Sequence, residues 1–509
     1  MSSVLDAAGT PATPHPSPAA PSARVPSSSG GGRLGAGRIG VPALVCMIVA
    51  ASAPLTAVAG GITSNFAVTG LLGVPLSFLV LGVVLLLFSV GYAAMSRHVH
   101  NAGAFFAYVA RGMGKPAGVG AALVALVSYA CMQVGIAGMF GFATSSFLEG
   151  TFGIAVPWWA SALAAWVLVG VLGLYRVDFS AKVLMGVVAL EFLVVCVYTV
   201  LGLRAAPEGV SAAGLLPGQL FTSGVGAALV FSVAAFMGFE SGAIYNEEVK
   251  DPKRTAGRAT LISVVLIAVF YAFSAWAMVM TEGPGGVVAA AQAVGPDVVF
   301  AFLGAHAPLW FTDLANILFI VSLLAALLAF HNIVARYAFA LGREHVLPAF
   351  LAHTSTRTGA PVGGSLVQSG AALVVLVVFA LAGSRSDDPL FPVVTLFTWL
   401  TNMGAFGLVL LMALTSVSVI GYLRRHRDEF GVFTRVVAPA LAAVGLLTLF
   451  VLTMVNFPVL LGADGTTPLS WLLPALVVTP GALGTAWALW LRARRPATYA
   501  GIARGGELS

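Results

Sequence analysis

The chain has 509 residues, of which 59% are hydrophobic and only 9% charged, and its mean hydropathy is +0.98. Soluble domains carry roughly 25% charged residues, so this composition excludes a soluble enzyme or binding module. The net charge of +6 and pI near 9.4 would suggest nucleic acid in a soluble chain, but the placement of the basic residues, described below, assigns them to membrane topology, and no nucleic-acid partner is expected.

Residues 1–38 form a Pro/Ala/Ser/Gly tract with few large apolar side chains. Such a segment cannot bury enough surface to offset its ordering entropy, which predicts a disordered tail. It lacks the short apolar core and cleavage site of a signal peptide, so the first apolar run is expected to be retained. From Ile39 onward the sequence divides into twelve runs of a length suited to crossing a bilayer core. The first six are 41–69, 73–95, 117–147, 157–175, 182–203 and 219–246. The second six are 258–281, 308–341, 361–382, 390–421, 433–457 and 470–492. Residues 282–307, with Gly283-Pro284-Gly285-Gly286 and Gly295-Pro296, read as a loop with short surface helices, too broken to span.

With the N-terminus in the cytoplasm, all but Arg204 and Arg385 of the 25 Lys and Arg residues fall on the cytoplasmic side. This charge asymmetry fixes orientation and places the 493–509 tail in the cytoplasm as well. The Ala- and Gly-rich composition fits a bacterial chain, and hence a multi-pass protein of the bacterial plasma membrane. The three cysteines, Cys46, Cys131 and Cys196, lie inside apolar runs without metal-ligand spacing and read as packing residues. No metal, cofactor or catalytic group is expected.

Two spans carry signs of a broken helix. The first contains Pro54 and then Ala59-Gly60-Gly61-Ile62-Thr63-Ser64, small and polar residues that weaken a helix at mid-membrane. The sixth is interrupted at Met237-Gly238-Phe239-Glu240, resumes at Ser241-Gly242-Ala243-Ile244, and runs into a loop with Glu247, Glu248, Lys250, Asp251, Lys253, Arg254 and Arg258. Five spans separate the start of the first from the start of the sixth, an odd number, so the two halves lie in the membrane with opposite orientation. Interrupted helices at corresponding positions of inverted halves point to a transporter binding site. The loop acids and bases read either as a cytoplasmic latch or as a solvated, topology-fixing loop.

The sixth span and its loop, Phe236-x-Gly238-Phe239-Glu240 followed by Glu247-Glu248-x-x-Asp251-Pro252-x-Arg254, resemble a motif of the amino acid–polyamine–organocation (APC) transporters. Two further segments are similar to motifs of that family. One is His100-Asn101-Ala102-Gly103-Ala104-Phe105-Phe106-Ala107-Tyr108 after the second span, with His100 in place of a proline and Phe106 in place of a tyrosine. The other is Ala335-Arg336 through Gly342-Arg343-Glu344-His345-Val346-Leu347-Pro348 after the eighth. The resemblance covers about residues 39–490. It implies an all-α, leucine-transporter-like fold. Two inverted repeats of five helices (39–203 and 219–421) would be followed by two peripheral spans (433–492). It also implies alternating access, with an amino acid or related amine held by the two unwound stretches, here Ala59–Ser64 and Ala234–Phe239. Ala59 stands where the family has a first glycine, and Ala234 where some antiporters have a bulky aromatic gate. The candidate substrate-binding residues are therefore Ala59, Gly60, Gly61, Ile62, Thr63, Ser64, Ala234, Phe236, Met237, Gly238 and Phe239. Tyr129 and Gln133, at i, i+4 spacing in the third span, are substrate contacts or interhelical glue. Trp399, Thr401 and Asn402 in the tenth span share that ambiguity.

Acids within the spans are scarce and expensive. Glu191, in the fifth span, is a candidate for proton coupling, because a desolvated carboxyl suits proton binding and release; alternatively it only hydrogen-bonds unwound backbone of the first span. Glu240 reads as a gating or proton-linked carboxyl. His331, alone near the end of the eighth span, reads as a packing residue. The function expected is secondary transport of amino acids, driven by proton symport. Alternatives are a polyamine- or ethanolamine-type amine permease and an amino acid exchanger. A membrane enzyme or a channel is remote, since neither a paired catalytic motif nor a repeated filter occurs. Amino acid or amine, proton and lipid bilayer are the expected partners, and no oligomeric state can be read.

Overall fold

The computed structural model describes residues 40–99, 104–175, 181–240, 242, 249–251, 254–425, 428–463 and 465–503. The N-terminal tail, His100–Gly103 of the second motif, and Glu247, Glu248, Pro252 and Lys253 of the charged loop lie outside them, as does the expected latch built on those acids. Among the described residues the chain is helical, without strands. In order come α1 (Val41–Thr69), α2 (Val74–Ser96), the short α3 (Ala104–Met113), α4 (Lys115–Phe152), α5 (Trp158–Leu174), α6 (Ala181–Ala205) and α7 (Val225–Phe236). They are followed by α8 (Thr255–Glu282), the short α9 (Val287–Val294) and α10 (Asp297–His306), then α11 (Leu309–Arg343), α12 (Val362–Gly383), α13 (Pro392–Leu423), α14 (Phe433–Val455) and α15 (Leu469–Arg494). Ten of these helices are long and apolar enough to cross a membrane, while α5 and α7 are apolar but shorter, at 17 and 12 residues.

The 38-residue α4 is the central strut, packing against α3, α5, α11, α13 and α15. Close approach there relies on small residues, as in membrane bundles generally: a Cβ on Gly404 of α13 would stand 2.7 Å from the Ser128 carbonyl of α4. Against this strut leans a second group, in which α8 packs along α2, and α1 lies against both α8 and α6. The site lies where α1 and α7 meet α4, α11 and α13.

The segment expected to be a loop with short surface helices forms α9 and α10, bent by 105° where Gly295-Pro296 ends the first of them. Gln292 of α9 donates a hydrogen bond to the Ala67 carbonyl of α1 (3.0 Å), and Ser146 of α4 donates to the Asp297 carboxylate of α10 (2.9 Å). The helical pair is thereby pinned to both groups of helices. Partial burial raises the Asp297 carboxyl above its ordinary value, against the smaller opposing effect of the Ser146 bond. The charged form is thus disfavoured in the pinned state, and the pinning weakens as pH rises from about 4. Amide protection across 287–306, taken relative to the base-catalysed intrinsic exchange rate, should accordingly be greater at pH 4 than at pH 8, and Asp297→Asn should remove that difference.

Candidate functional site

Helix α1 is broken, though not where its glycines predict. Its first part, Val41–Ala51, ends at Ser52, and Ala53 adopts a left-handed conformation (φ +47°) before Pro54. Proline has no N–H to bond back into a helix and disfavours helical backbone at the residue before it, so the break follows from Pro54. Ser52 is held by Tyr271 of α8, whose hydroxyl lies 3.0 Å from Ser52 Oγ and donates to the Ser52 carbonyl at 3.2 Å. The amide of Leu55, freed by the break, donates to Glu191 Oε2 of α6 at 3.2 Å. Thr56 in turn donates to Ser322 Oγ of α11 (3.2 Å).

The interruption expected at Ala59–Ser64 is therefore corrected to Ser52–Pro54. Ala59, Gly60, Gly61 and Ile62 belong to a π-helical stretch, Thr56–Ile62, and Thr63 and Ser64 to the α-helix Thr63–Thr69. Two glycines cost a helix only about 1 kcal/mol each, and tertiary contacts offset that. Gly60 faces α4, where a Cβ would lie 3.1 Å from Met139 Cε. The Thr63 hydroxyl donates to the carbonyls of Ala59 and Gly60, covering acceptors that the wider π turn leaves exposed.

In α7 the break falls where expected. The helix stops at Phe236, Met237 is extended (ψ 138°) and Gly238 has φ +101°. Resumption at Ser241–Ile244 lies outside the described residues except for Gly242. Glu240, 1% exposed, folds back on the break. Its Oε2 accepts the Gly238 amide at 3.0 Å and its Oε1 accepts the Tyr129 hydroxyl of α4 at 2.7 Å. Its backbone carbonyl accepts the Tyr92 hydroxyl of α2 at 3.1 Å. Glu191 is similarly buried, at 2%. Neither carboxyl makes an ion pair among the described residues. Each is held by donors left at a helix break, which is how a buried acid is accommodated in lipid.

The two breaks face one common cavity. Ala51, Ser52 and Ala53 line it from one break and Ala234, Ala235 and Met237 from the other. Thr56 and Gly61 come from the π stretch of α1, and Phe397 from a second π stretch, Pro392–Phe397, at the start of α13. Met132 of α4 and Phe330 of α11 close the remaining walls. Of the expected substrate contacts, Gly61, Ala234 and Met237 line this cavity. Phe236 instead packs on Phe78 and Tyr271, and Phe239 on Phe88. Gly238 supports the break, and Tyr129 is engaged with Glu240.

Gln133, one turn beyond Tyr129, belongs to a separate buried cluster. It accepts a hydrogen bond from Gln368 of α12 and lies 3.3 Å from His331 Nδ1, whose Nε2 is 2.8 Å from Ser365 Oγ. His331 is thus a linker of α4, α11 and α12. Sequence reasoning missed Ser52, Thr56, Met132, Phe330 and Phe397 as cavity residues. Pro54 was the available signal for the first two, whereas apolar side chains in apolar helices carry none.

Residues 39–480 match the amino acid permease family. Over 170 residues, the chain is 28% identical to the cationic amino acid transporter 3, mitochondrial, of Arabidopsis thaliana, a match covering 32% of this chain and 26% of that protein. Over 150 residues it is 31% identical to uncharacterized transporters of Mycobacterium bovis and Mycobacterium tuberculosis, covering 30% of this chain and 32% of each relative. The matched segments thus span between a quarter and a third of these relatives. Because the family match runs across nearly the whole helical region, this multi-pass membrane protein belongs to the amino acid permease family.

Proposed function

We propose that the chain is a secondary transporter of amino acids that works by alternating access, with the substrate held between the α1 and α7 breaks. The observation that carries this reading is the convergence of both breaks on one cavity. The first part of α1 and all of α7 end at it, so the carbonyl ends of two helices face a substrate ammonium, while the second part of α1 begins there and offers its positive end to a carboxylate. The arrangement fits a leucine-transporter-like fold of two inverted repeats. The first would be α1, α2, α4, α5 and α6, the second α7, α8, α11, α12 and α13, with α14 and α15 peripheral, in a bacterial plasma membrane with both termini cytoplasmic.

Proton symport is the proposed driving force, with Glu191 the coupling residue. Its carboxyl is buried against the amide of Leu55, so protonation there changes what holds the α1 break. The test is uptake into proteoliposomes with and without an inward proton gradient. Accumulation should require the gradient and collapse with a protonophore. Glu191→Gln should retain counterflow exchange yet lose gradient-driven accumulation, and gradient-independent accumulation by the wild type would sink the coupling. The name of the Arabidopsis relative raises a cationic substrate as the second reading, alongside polyamines and other amines; amino acid exchange without proton coupling is a third.

A further inference from the structure

We infer that the cavity accepts an amino acid with an uncharged, apolar side chain of aliphatic or thioether type and rejects cationic side chains and polyamines. This inference rests on the reading of the cavity as an amino acid site. Beyond the two breaks, its walls are Met132 and Ile136 of α4, Ala326 and Phe330 of α11, and Phe397 and Thr401 of α13. No Asp, Glu, His, Lys or Arg lines it among the described residues. The hydroxyls of Ser52, Thr56 and Thr401 are its polar side-chain groups.

The two acids that might have served a cation are committed elsewhere. Glu191 accepts the Leu55 amide from behind α1, and Glu240 is divided between Tyr129 and Gly238; neither lines the cavity. A guanidinium or second ammonium entering this space would lose its water without gaining a counter-charge. The faces of Phe231, Phe330 and Phe397 attract a cation far less strongly than water solvates it. Carbonyls at the helix ends are taken by the α-ammonium. An apolar side chain, by contrast, gains from every wall it touches.

Gly61 supplies a size gauge. A Cβ there meets nothing within 4 Å, and the residue lines the cavity, so a larger side chain at this position occupies substrate space without displacing protein. Gly60, one residue earlier, is the packing glycine against Met139.

The experiment measures binding and uptake by the purified full-length chain, using leucine, methionine, alanine, arginine, lysine and putrescine. Leucine or methionine should bind at least roughly 100-fold more tightly than arginine or lysine, with no measurable binding of putrescine. Gly61→Val should weaken leucine binding by about tenfold or more and alanine binding by less, so that the leucine-to-alanine ratio falls. Ile136→Asp should improve lysine relative to leucine. Arginine, lysine or putrescine matching leucine in the wild-type protein overturns the inference while leaving amino acid or amine transport intact. Binding of none of the six overturns the amino acid reading itself, and this inference with it.

Discussion

Gly238→Ala should severely impair transport. Gly238 sits at φ +101°, outside the conformations that a side chain tolerates, and a Cβ there would stand 2.9 Å from Ala51 Cβ and 3.0 Å from the Ala51 carbonyl group. The obstacle is backbone at the other break, so no rotamer change relieves it. Backbone strain of this kind costs about 1–3 kcal/mol, and the clash adds to it. Relief requires either moving α7 away from α1 or restoring a negative φ, and either change pulls apart the two halves of the cavity. The expected result is an uptake rate reduced more than roughly tenfold, the equivalent of about 1.4 kcal/mol, together with lower thermal stability in detergent. Gly370→Ala in α12 is the matched control, since its Cβ also meets free space, whereas at Gly61 the free space is the cavity itself. Wild-type uptake by Gly238→Ala would mean that the apposition of the breaks is not needed.

The contrast between these glycines shows what could be read from the residues and what could not. The α7 break was visible because Gly238 and Glu240 stand together where lipid penalises both a loosened backbone and a charge, so only a specific local structure explains them. In α1 the eye falls on Gly60-Gly61, yet a glycine pair only weakens a helix, and contacts such as Met139 decide whether the weakness is expressed. Pro54 is the stronger signal, because a missing N–H and a steric exclusion cannot be packed away.

Helical spacing placed Tyr129 and Gln133 on one face of α4, but it could not tell that Tyr129 bonds Glu240 beyond the α7 break, its ring against Phe330 and Tyr337 of α11, while Gln133 joins His331 of α11 and Gln368 of α12. Thr401 and Asn402 separate in the same manner: Thr401 lines the cavity, whereas Asn402 is buried and donates to the Thr398 carbonyl of its own helix at 2.7 Å. Met132, Phe330 and Phe397 had no signature at all, since a cavity wall and a packed core use the same side chains. Periodicity and charge report on single helices, and the cavity is a property of five of them.

Glu240→Ala should be the most damaging side-chain truncation at the site. It leaves the Tyr129 hydroxyl and the Gly238 amide without their acceptor in a buried setting, and each orphaned donor costs about 1–3 kcal/mol. Tyr129→Phe should cost less, because Glu240 keeps the Gly238 amide and its backbone carbonyl keeps Tyr92. Glu240→Gln should fall between, since an amide oxygen accepts one of the two bonds while its NH₂ faces the other donor. If the Glu240–Tyr129 bond fastens the α7 break to α4, the two losses overlap. The Glu240→Ala/Tyr129→Phe double variant should then be less impaired than the sum of the singles, with a coupling of about 0.5–3 kcal/mol. Measuring the cycle by both thermal stability and initial uptake rate separates the two roles of the contact. A structural tie appears in both measurements. A gate that must open during transport appears differently: Tyr129→Phe destabilises the closed state, so stability falls while the opening step becomes easier. Coupling in stability accompanied by faster uptake in Tyr129→Phe would identify the bond as a latch, whereas strictly additive losses would show that Glu240 and Tyr129 act independently.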